Sequence, residues 1–188
     1  MNPPSARRRP GFTLIELLVV IAIIVVLAAA GFGAGIVAMN RANTIRSVAS
    51  ARAVESAINN FYTEYGSLPD VPNRVRTDTG EGVRLLNILL GLEETSGKMQ
   101  NTRMIKMLSA VETKTKSKGL LYSSNGRSAE GLYDSWGSPF TIELDTNYEE
   151  RLRFTAGSKT VQLNGRRVAV YSPGADLKLG TADDVKTW

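Results

Sequence analysis

The stretch RRRPGFTLIELLVVIAII runs from Arg7 to Ile24. Three arginines, a proline and a glycine lead into an apolar run. That run carries one carboxylate, Glu16, five residues past Gly11. From Phe12 to Met39, Glu16 is the only charged residue. A helix of about 20 apolar residues crosses a hydrocarbon core of about 30 Å, so the run is long enough to span a membrane. Arg7–Arg9 lie just before it, which predicts a cytoplasmic N-terminus with the rest of the chain on the far side.

Glu16 decides between three readings of this run. A secretory signal peptide would use Arg7–Arg9 as its charged region and Ala28–Ala30 as its small-residue cleavage site, but the glutamate interrupts the apolar region and the region is too long. A plain signal anchor has the right length and leaves Glu16 unexplained. A carboxylate costs about 2.5–3.5 kcal/mol at the centre of a membrane helix and less near the interface. The third reading accounts for it. Gly11-Phe12-Thr13-Leu14-Ile15-Glu16 resembles the processing site of the type IV pilin and pseudopilin superfamily. The resemblance implies that a membrane aspartyl peptidase removes residues 1–11 after Gly11, that Phe12 becomes N-methylated, and that Glu16 becomes the fifth residue of the mature chain. The new amine of Phe12 needs a partner, and Glu16 stands one helical turn away, in the same chain or in a neighbour. The resemblance gives Glu16 the task of setting register during filament assembly.

Composition narrows the chemistry. The chain has 188 residues, with no cysteine and no histidine. Disulfides, thiolate nucleophiles, Cys/His zinc sites and histidine general bases are excluded together. Glu93-Glu94 and Glu149-Glu150 read as solvated faces, so no enzyme activity is expected. The net charge of +5 invites nucleic acid or anionic lipid. Removal of Arg7, Arg8 and Arg9 leaves 20 basic against 18 acidic residues, or +2. The basic character is mostly leader, and no nucleic-acid partner is expected.

No proline occurs between Phe12 and Leu68. Past the apolar run, Ile45, Val48, Ala51, Ile58, Phe61, Tyr62 and Tyr65 recur at steps that suit an amphipathic helix, with Gly66 and Pro69 to end it. One helix from Phe12 to Tyr65 would be roughly 80 Å long. Gly31-Phe32-Gly33-Ala34-Gly35 is like a phosphate loop only on the surface, since no strand precedes it and no Lys-Ser/Thr follows. Small residues that permit close helix contact or local loosening are the plainer reading. The expected organisation is a leader at 1–11, a transmembrane and assembly helix at 12–39, its amphipathic continuation at 40–65, and a globular head at 66–188.

Within the head, the residues from Val83 to Leu92 suggest a short helix ending near Gly91, and those from Met104 to Val111 another starting around Asn101-Thr102. The run Lys114-Thr115-Lys116-Ser117-Lys118 reads first as a solvated loop, with phosphate or lipid contact as the minor reading. The last third alternates as strands do over 139–144 and 151–154. Val161–Leu163 and Arg167–Tyr171 flank Asn164-Gly165, a strong hairpin signal. The expectation is an α+β fold, a long N-terminal helix bearing a small C-terminal antiparallel sheet.

Two C-terminal features refine the resemblance. Asp134-Ser135-Trp136-Gly137-Ser138-Pro139 is similar to the D-x-W-G-x-P motif of the major pseudopilins of type II secretion systems, the general secretion pathway protein G family. Asp176, Asp183 and Asp184 put three carboxylates within nine residues of a glycine-containing loop. Calcium takes six to eight oxygens, so the loop reads either as a calcium site or as a solvated acidic turn; the EF-hand spacing is missing. The segment from Ser172 to Trp188 resembles that family's C-terminal calcium loop. The resemblance implies side-chain ligands at Asp176, Asp183 and Asp184 and backbone carbonyl ligands at Pro173 and Lys178. The chain departs from the family at Pro173, Leu177 and Lys178, and its segment from Pro69 to Gly131 is longer.

What the resemblance implies is a structural subunit of a type II secretion pseudopilus, with a surface type IV pilus as the alternative. Its partners would be further copies of itself, minor pseudopilins, the inner-membrane platform protein and the prepilin peptidase. It would be a single-pass protein of the bacterial inner membrane with a periplasmic head.

Overall fold

The absence of proline lets one α-helix form without a break. In the computed structural model, which describes residues 12–94 and 97–188, α1 runs from Leu14 to Tyr65. Nothing in α1 is described of the side chains of 30–34. The helix stops where expected. Gly66 turns to φ 72°, a conformation that favours glycine, and its N–H still reaches the Tyr62 carbonyl. The backbone stays helical through the glycine cluster at 31–35.

The chain divides into two compact units that part after Arg41. In the first, the apolar side chains from Leu14 to Leu27 stand exposed all round the helix. Among the described residues, no stretch of helix is long and apolar enough to cross a membrane. The expected span at 12–39 includes residues 30–34, whose side chains are outside those described.

The second unit is built on the rest of α1. Its buried stripe is Ser47, Ala51, Val54, Ile58 and Phe61, at alternating steps of four and three. The stripe sits slightly off the expected one. Ile45 is exposed, and Val48, Tyr62 and Tyr65 lie at its margins. Helix α2, Gly80–Leu90, packs its leucines into the same core. Its ends are chemically marked: Thr79 Oγ1 accepts from the Gly82 N–H, and Gly91 closes the helix in the left-handed conformation.

The expected second helix, Met104–Val111, does not form. Asn101 explains why. In a helix its carbonyl would receive the Ile105 N–H; here its side-chain oxygen takes that bond at 3.0 Å, while its amide donates to the Ile88 and Ile105 carbonyls. Met104 sits at φ 51°, and Met107 and Leu108 donate instead to the Leu89 carbonyl. The segment is an irregular strap over the end of α2, with Leu108 as its fully buried anchor.

The described residues include nine strands: β1 Arg74–Arg76, β2 Glu112–Thr113, β3 Gly119–Tyr122, β4 Ala129–Tyr133, β5 Thr141–Leu144, β6 Arg151–Ala156, β7 Lys159–Asn164, β8 Val168–Ser172 and β9 Val185–Lys186. The α+β class holds, but the expected single C-terminal antiparallel sheet is corrected in two respects. The strands form three sheets, β1-β5-β8-β9, β2-β3-β4 and β6-β7, and they begin at Arg74. One pair, β2–β3, is parallel. The expected hairpin across Asn164-Gly165 is also corrected: β7 pairs with β6, and β8 pairs with β5. All five residues of β8 are buried, which requires a central place, whereas β7 shows one side to solvent.

The central sheet separates two apolar clusters. Val168 and Val170 of β8 and Ile142 and Leu144 of β5 face the main core with α1 and α2. Ala169 and Tyr171 point the other way, by the two-residue alternation of a strand, onto Leu152 and Phe154 of the β6–β7 hairpin. Phe154 stacks on Tyr171 at 5.5 Å between ring centroids, and Trp188 meets both edge-on. Glu143 lies on this second face. It accepts from Arg74 Nε at 2.5 Å and from the Tyr171 hydroxyl at 3.0 Å. Burial pushes its carboxyl upward, and Arg74 beside it pulls the other way.

Candidate functional site

The first site is the start of α1. Thr13 precedes the helix and Glu16 is its third residue, so Thr13-Leu14-Ile15-Glu16 has the spacing of a capping box. The bonds are present: the Thr13 N–H donates to Glu16 Oε2 at 2.8 Å, the Thr13 hydroxyl donates to the same oxygen at 2.8 Å, and the Glu16 N–H donates to Thr13 Oγ1 at 3.3 Å. Glu16 thus has a local partner in the uncut chain, which the sequence reading missed although the T-x-x-E spacing carried the signal. Phe12 is exposed directly before it. Gly11 and the arginines of the leader lie outside the described residues.

The second site is the turn between β4 and β5. Asp134 is buried and organises it. Its Oδ1 accepts the Trp136 N–H at 2.9 Å and the Ser138 N–H at 2.8 Å, the pattern of an Asx turn. Its Oδ2 accepts the Ser172 hydroxyl at 2.8 Å, joining the turn to the end of β8. Gly137 adopts φ 96°, and a Cβ there would come within 3.0 Å of the Lys116 carbonyl. Ser135 makes the contact that sequence reasoning passed over. Its N–H donates to Ser47 Oγ at 2.9 Å, the two hydroxyls lie 2.9 Å apart, and its Oγ–H donates to the Asn43 carbonyl at 2.8 Å. Ser47, the one polar residue of the buried stripe, is explained by this bond.

The third site is the loop after β8. Gly174 takes φ 72° where a Cβ would collide with the Asp183 carbonyl at 2.2 Å, so the loop folds back on itself. Asp183 Oδ2 accepts the Asp176 N–H at 2.9 Å and its Oδ1 accepts the Thr181 hydroxyl at 2.7 Å. The Thr181 hydroxyl, then the Asp176 N–H, hold the Asp183 carboxyl below the usual carboxylate range. Asp176 Oδ1 accepts the Lys178 N–H and Asp184 Oδ2 accepts the Gly180 N–H. The Lys178 carbonyl receives the Thr181 hydroxyl at 3.2 Å. Pro173 precedes the 3-10 turn Gly174–Asp176. Asp184 Oδ1 differs from the rest, being buried with no hydrogen-bond partner.

The carboxylates therefore share one loop, but each already accepts a backbone N–H, and Asp183 accepts the Thr181 hydroxyl as well. Among the described residues no three of Asp, Glu, His and Cys are gathered closely enough to hold a metal ion. The oxygen chemistry of the loop still suits a hard cation. Asp184 Oδ1 is the kind of buried, unsatisfied charge that such an ion would compensate.

Residues 6–32 match the prokaryotic N-terminal methylation motif. The match supports the type IV pilin and pseudopilin superfamily and marks the chain as a type IV pilin-like substrate of prepilin peptidase. It is consistent with a membrane-anchored pilin-like protein. It takes in the last six residues of the expected leader, the expected cleavage position after Gly11, Glu16 and the apolar start of α1. No curated protein and no solved structure matches the chain.

Proposed function

We propose that the chain is a structural subunit of a type II secretion pseudopilus. It waits in the inner membrane on its apolar helix, with the head in the periplasm, and is drawn into a filament of its own copies. The observation that carries this reading is the methylation motif running into the 52-residue helix α1. The D-x-W-G-x-P turn and the acidic C-terminal loop favour the secretion type over a surface pilus. Minor pseudopilins, a platform protein and the prepilin peptidase are its partners in this reading. Filament assembly needs no chemistry from the chain itself, so it is not an enzyme.

Cleavage after Gly11 would place a positive amine on Phe12, next to the capping box. Glu16 then sits within one turn of the new charge and can exchange its bonds to Thr13 for the amine of its own or a neighbouring chain. Glu16→Ala should insert normally and be processed, yet assemble far more slowly. Assembly at the parent rate would remove Glu16 from that role. Deleting the chain should stop release of a secreted enzyme and spare surface motility; the reverse outcome selects the surface pilus.

Calcium at the C-terminal loop is part of the same proposal. Asp184, Asp183 and Asp176 would supply carboxylate oxygens, with the carbonyls of Pro173 and Lys178. The ion would tie the loop to the central sheet, as a disulfide would in a chain that had cysteines. An ion at a hundred times its dissociation constant stabilises by about 2.7 kcal/mol. Chelator should therefore lower the melting temperature of the purified, detergent-solubilised chain by several degrees, and Asp184→Ala should abolish that response. An unchanged melt removes calcium from the account.

A further inference from the structure

The basic run Lys114–Lys118 is the solvated loop that was expected, and it has a defined geometry. It joins the parallel strands β2 and β3, so its five residues have to carry the chain back for β3 to run beside β2 in the same direction. Hydroxyls on alternate residues hold it. Thr113 Oγ1 and Thr115 Oγ1 are 3.3 Å apart, Thr115 Oγ1 and Ser117 Oγ are 3.1 Å apart, and the Thr115 N–H donates to Thr113 Oγ1. Gly119 closes the loop against the Val111 carbonyl, where a Cβ would lie at 2.1 Å. Lys114, Lys116 and Lys118 occupy the intervening positions and are exposed. Among the described residues none of the three is in an ion pair.

The loop also has a defined place. The Lys118 N–H donates to the Asp134 carbonyl at 2.6 Å, and the Lys116 carbonyl faces Gly137. The adjacent Ser135 is bonded to Ser47 and Asn43 of α1. Those are among the first residues of the second unit, the end at which the chain comes in from the apolar run. Arg46, also exposed, lies between them. Residues 43–47 follow Met39, the last residue of the expected span, by four to eight positions in the sequence. Asp78 and Glu130 line the same hollow as Lys116, and Asp78 is held by Arg76.

We infer that the Lys114–Lys118 loop, with Arg46, is a docking surface for the anionic headgroups of the leaflet from which the chain emerges. The inference rests on the membrane-anchored reading given above. The lysines would hold the head down on the bilayer while the subunit waits, and that hold would be released when the subunit leaves the membrane. Opposite charge selects phosphatidylglycerol-type lipids over zwitterionic ones, by roughly fivefold for each lysine near the surface.

The test uses the full, processed chain in nanodiscs of phosphatidylcholine alone or with one-third phosphatidylglycerol. The rate of amine acylation is read at each lysine by mass spectrometry. Lys114, Lys116 and Lys118 should react several-fold more slowly in the anionic discs, and 0.5 M salt should erase the difference. Lys159, in the β6–β7 hairpin, should react equally in both. In the triple variant Lys114→Gln, Lys116→Gln, Lys118→Gln, exchange of the loop amides should no longer depend on lipid, with its circular dichroism unchanged. Equal acylation in the two lipids overturns the inference, as does protection that appears in both lipids only on filament assembly, which would assign the loop to a second copy. A chain that fails to enter nanodiscs at all overturns the anchored reading with it; one that enters and shows no lipid effect overturns this inference alone.

Discussion

Replacing Gly11 with valine should leave residues 1–11 on the chain, where the parent chain should lose them. In the proposed reading the cut falls between Gly11 and Phe12, inside the matched residues 6–32. A glycine leaves the backbone open to close approach by another surface, and a branched side chain blocks that approach. Three consequences should appear together. The intact mass retains the leader, Phe12 carries no methyl group, and Glu16 keeps its capping bonds to Thr13 without gaining an amine. Membrane insertion should be unaffected, because Arg7–Arg9 and the apolar run are untouched. Intact-mass spectrometry of the membrane fraction, with and without co-expressed peptidase, reads all of this. A Gly11→Val chain that is trimmed and methylated like the parent places the cleavage elsewhere.

The second large effect concerns the second unit. Asp134→Ala should cost about 3–4 kcal/mol, because the Trp136 and Ser138 N–H groups and the Ser172 hydroxyl lose their acceptor together, at about 1–3 kcal/mol for each buried donor left unpaired. In a unit of this size that corresponds to a fall of roughly 10 °C in the melting midpoint. Asp134→Asn is the informative control. Its carbonyl oxygen can still accept both N–H groups, and its amide can donate to the Ser172 oxygen, so most of the loss should be recovered. Thermal melts of the detergent-solubilised chain followed by circular dichroism would separate the three proteins. Equal melts for the parent and the alanine variant would mean that the turn is held by something other than Asp134.

The elements that could be read in advance are those whose signal is local. The length of α1 follows from the missing proline and the Gly66 stop, and α2 follows from its leucine spacing and Gly91. The pairing of strands was not local in that sense. Asn164-Gly165 has hairpin chemistry, but β8 is apolar on both sides and is claimed by the central sheet, so the partner of β7 had to be β6. The periodicity of Met104–Val111 is helical, and a single side chain, Asn101, diverts the backbone bonds that a helix needs. At the sites the same division holds. Glu16, Asp134 and the loop of Asp176, Asp183 and Asp184 stood out as residues, whereas Ser47 and Ser135 are 88 positions apart and look like ordinary serines until the fold joins them.

That serine pair has a mechanical consequence. Apolar contacts along a helix tolerate sliding and rotation, since one methyl group replaces another at little cost. A short hydrogen-bonded contact between Ser135 and the Asn43–Ser47 turn does not: advancing by one residue swings the bonding groups through about 100° and leaves them facing water or core. The contact therefore acts as a key in a shaft, fixing the azimuth of the β-sheets about the axis of residues 42–65. Torque applied to residues 42–65 would be transmitted to the sheets without slip.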